Sequence, residues 1–172
     1  MADLIVVTGA RACADSRLAE EWARGAVAEA FDTHRPSKLV TGDARGPDDY
    51  ARREAVKRRV PFFCYAASGL ITGVDGREWG RWTRDLPPDR DSNRAEWKAW
   101  YLHRDRVMVQ HVARRVREGA SALVLAITAP WSDTEGTAFT VGRAKAHELD
   151  VLELTIPREL APRARSAAVR HG

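Results

Sequence analysis

The chain has 172 residues, of which 44% are hydrophobic and 30% are charged. These proportions are ordinary for a globular protein and exclude a disordered or fibrous chain, and the length suits one domain with a buried core. The longest apolar runs, at residues 4–7 and 122–127, are far shorter than the ~20 residues that span a bilayer. We therefore expect no membrane partner and a cytoplasmic location.

The net charge of +4 is concentrated at the end of the sequence. Residues 157–172 contain four arginines and one glutamate, which leaves residues 1–156 almost neutral. We therefore expect a single domain over residues 1–156, followed by an arginine-rich tail. A nearly neutral body is a poor surface for DNA or RNA phosphates, so nucleic acid ranks low among the expected partners.

In the first half of the sequence, buried strands alternate with helices. Residues 4–8 and 39–41 are β-branched and aliphatic, and each run ends at a glycine. Apolar residues at intervals of four predict a helix over residues 14–31. A proline followed by two aspartates predicts the start of a second helix, over residues 47–59, and residues 60–65 have the composition of a third strand.

The second half continues the same alternation after an irregular segment. Residues 66–94 contain four glycines, two prolines and two tryptophans, which predict a long surface loop with aromatic anchors. Beyond this loop the hydrophobic pattern predicts a helix over residues 93–118, a strand over 122–128, a helix over 137–149 and a final strand over 151–156.

This order of elements predicts an α/β fold. Connections that contain helices require parallel strands, so we expect a Rossmann-like, doubly wound, mainly parallel five-stranded sheet with helices on both faces. Ligands of such sheets bind at the carboxyl ends of the strands, near the point where the strand order reverses. The loops that follow the strands are therefore the expected location of the functional site.

Three of these loops contain glycine and lead into a helix, so each offers close approach to the backbone and free amide groups for an anion. They follow the first, second and fourth strands, at residues 8–11, 41–48 and 132–137. A simple strand-to-helix turn has the same composition, and one such turn alone is weak evidence. Together with Arg104 of the helix over residues 93–118, the three loops predict one ligand-binding site. Its residues are Gly9, Arg11, Gly42, Asp43, Arg45, Gly46, Arg104, Gly136 and Thr137.

Arginine binds phosphate through paired hydrogen bonds, so the arginines of the predicted site are candidate phosphate ligands. The acidic residues nearby allow two interpretations. Asp43, Asp48, Asp49 and Asp105 could bind ribose hydroxyls, or could cap helices and pair with the arginines. Capping is the preferred interpretation for Asp48 and Asp49. Asp133 and Glu135 would repel a phosphate unless a cation intervenes. A divalent cation with a phosphorylated ligand is therefore one option, although no spacing in the sequence requires a metal or another cofactor.

Four motifs occur in an order and spacing that match one family. They are Val7-Thr8-Gly9-Ala10-Arg11, Thr41-Gly42-Asp43-Ala44-Arg45-Gly46-Pro47-Asp48, Arg104-Asp105-Arg106-Val107-Met108 and Gly136-Thr137. Over residues 4–156 the chain resembles the SLOG superfamily, and within it the YspA-like branch related to YpsA. The resemblance implies a Rossmann-like domain whose ligands are nucleotides or nucleotide derivatives, including ADP-ribose-type signals.

The chain also resembles, more distantly, the Lonely Guy phosphoribohydrolases, which release the base of a nucleoside monophosphate. Arg104 and Met108 match that family's Arg-x-x-x-Met stretch. The family's glutamate lies three residues beyond a Gly-Thr pair, where this chain has Thr140. The missing glutamate favours binding over catalysis.

The leading expectation is a module that binds a nucleotide or nucleotide-derived small molecule, ADP-ribose-like or a nucleoside phosphate, as a sensor or carrier. The alternative is a hydrolase of the N-glycosidic bond of a nucleotide, with Arg104, Asp105, Asp43 and Glu135 as candidate catalytic residues. A nucleic-acid-binding protein is the second alternative. Apolar helix faces could also bury a second copy of the chain in a homodimer.

Overall fold

The computed structural model describes residues 2–74, 76–89 and 93–162. Most of the predicted tail, including three of its four arginines, lies outside the described residues. Within them the strands are β1 (Leu4–Gly9), β2 (Lys38–Gly42), β3 (Phe62–Tyr65), β4 (Leu70–Thr72), β5 (Glu78–Arg81), β6 (Ala122–Thr128) and β7 (Asp150–Thr155). The helices are α1 (Arg17–His34), α2 (Pro47–Arg58), α3 (Arg94–Arg117) and α4 (Glu135–Ala146), with short 3-10 turns at Arg11–Ala14 and Arg158–Leu160.

The strands form one sheet in the order β5-β4-β3-β2-β1-β6-β7. Five neighbouring strands of this sheet, in the order β3-β2-β1-β6-β7, pair in parallel. In the centre of the sheet, Val7 of β1 lies between Thr41 of β2 and Leu125 of β6. The Rossmann-like, mainly parallel α/β fold predicted from the sequence is confirmed.

Helices cover both faces of the sheet, because alternate residues of each parallel strand point to opposite sides. Ile5 and Val7 of β1 pack in one apolar layer with residues of α1 and α2. Leu4 and Val6 pack in the other layer with residues of α3 and α4. All four side chains are at most 6% exposed, which explains why this strand is apolar along almost its whole length.

The strand order reverses between β1 and β6. From β1 the chain winds outward through β2 to β3, and it then returns to pair β6 against the other side of β1. The connections on either side of this point run in opposite directions, so the loops after β1 and β6 separate and leave a crevice at their carboxyl ends.

The segment predicted as an irregular loop, residues 66–94, contains two strands that the sequence did not reveal. β4 and β5 form an antiparallel hairpin that extends the sheet beyond β3 and raises the strand number from five to seven. Both strands are short, β5 is exposed along its whole length, and the pairing contains an irregularity between Ile71 and Thr72. Such strands lack the alternation of apolar and polar residues by which a strand is recognised in a sequence.

The predicted helices are confirmed with small differences at their ends. The clearest is at the start of α1, which begins at Arg17 after a 3-10 turn, with the Ser16 hydroxyl accepting a hydrogen bond from the amide of Ala19. Among the described residues, no helix combines the length and the apolar character that crossing a bilayer requires.

Gly9, at the end of β1, is required by packing. A Cβ atom at this position would lie 2.4 Å from Cγ of Pro47 and 2.7 Å from the carbonyl oxygen of Ile127. We expect Gly9→Ala to lower the free energy of unfolding by about 1–3 kcal/mol. The control is Gly25→Ala within α1, where a Cβ would meet nothing within 4 Å and which should raise stability by about 0.5–1 kcal/mol. Urea denaturation measures both, and equal midpoints for the Gly9 variant and the parent chain would contradict the packing argument.

Candidate functional site

A cavity of about 700 Å³ opens at the crevice beside the end of β1. Its walls are the end of β1, the residues before and at the start of α2, the first half of α3, and residues 132–137 at the start of α4. Pockets that enclose small organic ligands have volumes of about 300–1,000 Å³. The cavity therefore has the place and the size of a small-molecule site in a doubly wound fold.

Arg104 of α3 is only 4% exposed and is held by two carboxylates. Its Nε and Nη2 atoms donate hydrogen bonds to Oδ1 of Asp105 at 2.9 and 2.7 Å, and its Nη1 atom donates to Oδ1 of Asp43 at 2.7 Å. Burial lowers the pKa of Arg104, but the carboxylates of Asp105, Asp48 and Asp43 raise it further, so the guanidinium stays charged. Arg104 is therefore a buried ion-pair partner and not a free cation.

Thr140 is the residue that the resemblance to the phosphoribohydrolases aligns with their glutamate. It is fully buried, and its hydroxyl lies 3.0 Å from the carbonyl oxygen of Gly136 and 3.4 Å from Oδ2 of Asp105. This hydroxyl joins α4 to the ion pair on α3. A glutamate here would add another carboxylate beside Asp105, whose burial already opposes ionisation.

Asp48 is the buried acid of the cavity. It lies in the first turn of α2, is 3% exposed, and lines the cavity. The residue that caps α2 is Gly46, and no side chain makes a capping hydrogen bond there, so Asp48 does not cap the helix as the sequence suggested. Burial raises the pKa of Asp48 to about 7, despite the opposing attraction of Arg104. At neutral pH this group therefore exchanges between carboxylic acid and carboxylate.

The mouth of the cavity carries two arginines without carboxylate partners. Arg11 and Arg94 are exposed and line the cavity, and neither forms an ion pair with another residue in the described part of the chain. Lys98 is paired with Glu135, and the carboxylate of Asp133 accepts a hydrogen bond from the Glu135 amide. The unpaired arginines outnumber Asp133, so the mouth is positive despite the acids.

The start of α4 faces the same mouth. Gly136 and Thr137 line the cavity and lie in the first turn of this 12-residue helix, where amide groups have no carbonyl partner within the helix. The amino end of a helix carries a partial positive charge that favours anions. The helix end and the two arginines therefore act on a bound anion in the same sense.

Aromatic side chains of α3 form one wall. Trp97 and Tyr101 line the cavity, and their ring centroids lie 5.3 Å apart in an edge-on geometry. The guanidinium groups of Arg11 and Arg104 lie 5.0 and 4.7 Å from the centre of the Tyr101 ring. Such rings offer a flat surface to a planar ligand group.

The structure brings some of the predicted residues to the cavity and leaves others outside it. The predicted residues that line it are Gly9, Arg11, Arg104, Asp105, Glu135, Gly136 and Thr137.

The loop after β2 contributes differently from what its sequence suggested. Arg45 donates a hydrogen bond to the carbonyl oxygen of Ala14, and Gly46 has a φ of 93° that favours glycine. Asp43 binds Arg104 and accepts a hydrogen bond from the Ala67 amide. Gly42 packs against Arg104 and Asp48.

Sequence analysis missed several residues of the cavity. Asp48 was assigned mainly to a helix cap, and neither Arg94 nor Trp97 was expected at the site, although these residues and Thr8 all line the cavity. Thr8 and Asp48 lie inside the quoted motifs, so their position beside the loop glycines was an available signal. Arg94 and Trp97 had none, because the preceding segment has no regular pattern.

The described residues contain no cluster of three or more histidine, cysteine, aspartate or glutamate side chains placed to hold a metal ion. The acids nearest the mouth are engaged elsewhere, Glu135 with Lys98 and Asp133 with a backbone amide. The two cysteines, Cys13 and Cys64, are buried and unpaired.

The chain matches no protein-family model and no curated protein. Among solved structures it is similar to DNA processing protein A (DprA) from Streptococcus pneumoniae, with 13% sequence identity and a TM-score of 0.41. The similarity covers 90% of this chain and 59% of that one, so the chain spans less than two thirds of the length of DprA. The function is accordingly inferred from the cavity and its residues.

Replacement of Asp48 by asparagine should make the chain more stable, and increasingly so as the pH rises. An ordinary aspartate has a pKa near 3.8, whereas that of Asp48 is about 7, so between these values the folded chain binds more protons and loses stability with rising pH. Asparagine does not ionise, so its burial brings no loss of stability as the pH rises. The gain of Asp48→Asn at pH 8 should exceed its gain at pH 5 by about 2–3 kcal/mol.

Urea denaturation of both chains at the two pH values measures this difference. The control is Asp49→Asn, since Asp49 lies next in sequence but is partly exposed and pairs with Arg52 and Arg53. That variant should have a similar effect at both pH values. An Asp48→Asn effect that does not change with pH would mean that Asp48 is ionised throughout this range.

Proposed function

We propose that the cavity binds a nucleotide or nucleotide-derived small molecule, and that the chain works as a sensor or carrier of this ligand. The observation that carries the proposal is that two arginines which form no ion pair among the described residues, Arg11 and Arg94, lie with the start of α4 at the mouth of a cavity of about 700 Å³. This combination suits phosphate, because guanidinium groups and helix amides both bind its oxygens.

The remaining walls suit the other parts of such a ligand. Trp97 and Tyr101 offer aromatic surface to a base, and the inner end of the cavity is lined by oxygen-bearing side chains. The motifs that resemble the SLOG superfamily, and its YspA-like branch, contribute Gly9, Arg11 and Thr137 to the same cavity. An ADP-ribose-like molecule or a nucleoside phosphate has a phosphate, a base and sugar hydroxyls, one for each of these three parts of the cavity.

Binding is preferred to hydrolysis of the N-glycosidic bond because the candidate catalytic acids are engaged. Asp43 and Asp105 are held by Arg104, and Glu135 is paired with Lys98 at the mouth. The oxygens of these carboxylates accept hydrogen bonds from the cations, which leaves them poorly placed to activate water.

The proposal is tested by thermal-shift and calorimetric titration with nucleoside mono-, di- and triphosphates, NAD, ADP-ribose and cyclic nucleotides, with and without magnesium. A ligand at 100 times its dissociation constant should stabilise the fold by about 2.7 kcal/mol. Chromatography of each mixture should return the ligand intact. Release of free base would instead establish a hydrolase, and binding of a single-stranded oligonucleotide without any mononucleotide would indicate a nucleic-acid ligand.

The two mouth arginines should account for much of the affinity. We expect the double variant Arg11→Ala, Arg94→Ala to bind AMP or ADP-ribose at least about tenfold more weakly, because each arginine supplies charge-assisted hydrogen bonds. Isothermal titration measures the change. The control is Arg17→Ala, since Arg17 is exposed on α1, pairs with Glu21 and does not line the cavity. Unchanged affinity in the double variant would exclude phosphate from the mouth.

A further inference from the structure

Three polar side chains from three different elements meet at the inner end of the cavity. Thr8 comes from the end of β1, Asp48 from the first turn of α2 and Thr137 from the first turn of α4. All three line the cavity, and they are only 8%, 3% and 5% exposed. Their residues are far apart in the sequence, so the fold itself brings them together.

The polar groups of these side chains have no partner within the protein. In residues 2–74, 76–89 and 93–162, none of the three side chains makes a hydrogen bond or an ion pair. Buried polar groups in proteins are almost always hydrogen-bonded, because an unpaired one costs free energy. Some buried polar side-chain atoms of this protein have no partner and are sealed from solvent. The side-chain oxygens of Thr8, Asp48 and Thr137 are not sealed in this way. Their free hydrogen-bonding capacity is therefore directed to the cavity.

The chemistry of this inner end excludes an anion. Arg104, the cation nearest to it, already donates to Asp105 and Asp43. Within the described residues, a phosphate placed there would meet the carboxyl groups of Asp48 and Asp105 and no cation free of an ion pair, whereas Arg11 and Arg94 at the mouth form no ion pair. Two hydroxyls and a carboxyl group whose pKa burial raises to about 7 can each donate and accept hydrogen bonds. Groups that both donate and accept are complementary to the hydroxyls of a sugar.

We propose that Thr8, Asp48 and Thr137 form a hydroxyl-binding subsite that takes the sugar of the ligand, while the phosphate stays at the mouth. This assignment rests on the proposed function and deepens it by fixing the direction of the ligand in the cavity. Thr137 serves both parts, since its amide lies at the start of α4 and its hydroxyl lies in the subsite.

Three probes separate the subsite from the mouth. They are inorganic phosphate, ribose 5-phosphate and 2-deoxyribose 5-phosphate, titrated by calorimetry into the full chain. Ribose 5-phosphate should bind at least about tenfold more tightly than phosphate, and more tightly than its 2-deoxy analogue, because it adds hydrogen bonds to buried unpaired groups. Phosphate binding alone reports the mouth.

The variants are Thr8→Val and Thr137→Val, which remove a hydroxyl while keeping the shape of the side chain, and Asp48→Ala. Each should lower the preference for ribose 5-phosphate over phosphate by about three- to tenfold, with phosphate affinity unchanged within about twofold. The matched control is Thr155→Val on β7, where the hydroxyl bonds to Thr128. It should change neither affinity.

Several results would overturn the subsite. One is equal binding of phosphate and ribose 5-phosphate by the parent chain, and another is an equal loss of both in every variant. If phosphate binds and is lost in the Arg11→Ala, Arg94→Ala variant while the sugar adds nothing, the mouth stands and the subsite does not. If neither phosphate nor ribose 5-phosphate binds the parent chain, the proposed function fails together with the subsite.

Discussion

The site depends on one buried guanidinium. Arg104 joins α3 to the end of β2 through Asp43 and to its own neighbour Asp105, which in turn contacts Thr140 of α4. Removing the cation would leave buried carboxyl groups without a counter-charge, which typically costs about 3–5 kcal/mol. The same group explains Gly42, because a Cβ there would lie 2.8 Å from Nη2 of Arg104 and 2.6 Å from Oδ2 of Asp48. No larger residue fits at the end of β2.

This arrangement divides the cavity into two chemically different ends. At the inner end Arg104, the nearest cation among the described residues, is already bonded to carboxylates, so hydroxyl and carboxyl groups dominate. At the mouth the positive groups are Arg11, Arg94 and the start of α4, all available to a ligand. An elongated ligand with an anionic end and a hydroxyl-bearing part has one favourable direction of entry. A sugar phosphate has this construction, whereas an extended polyanion would place negative charge against Asp48 and Asp105.

The fold was more predictable from the sequence than the site. The parallel strands are predicted by short, continuous apolar runs that end in glycine, and a strand covered on both faces has to be apolar along its length. The hairpin of β4 and β5 escaped because its exposed residues carry no such pattern. The pairing of Arg104 with Asp105 and Asp43 was one of two alternatives that the sequence left open, and the structure selects it. Adjacent helical residues point in different directions, and nothing in the sequence places the end of β2 beside this turn of α3.

The three glycine turns illustrate the same difference between composition and role. Each was interpreted as a place where the backbone approaches an anion, yet Gly9 and Gly42 are required by contacts with Pro47, Asp48 and Arg104. At Gly136 a Cβ would meet nothing within 4 Å, so packing does not require glycine there. The start of α4 is thus the turn whose amides are free of these packing demands and lie at the positive mouth. Under the proposed function, an anion would therefore lie at this helix end, and the other two turns would shape the walls around the rest of the ligand.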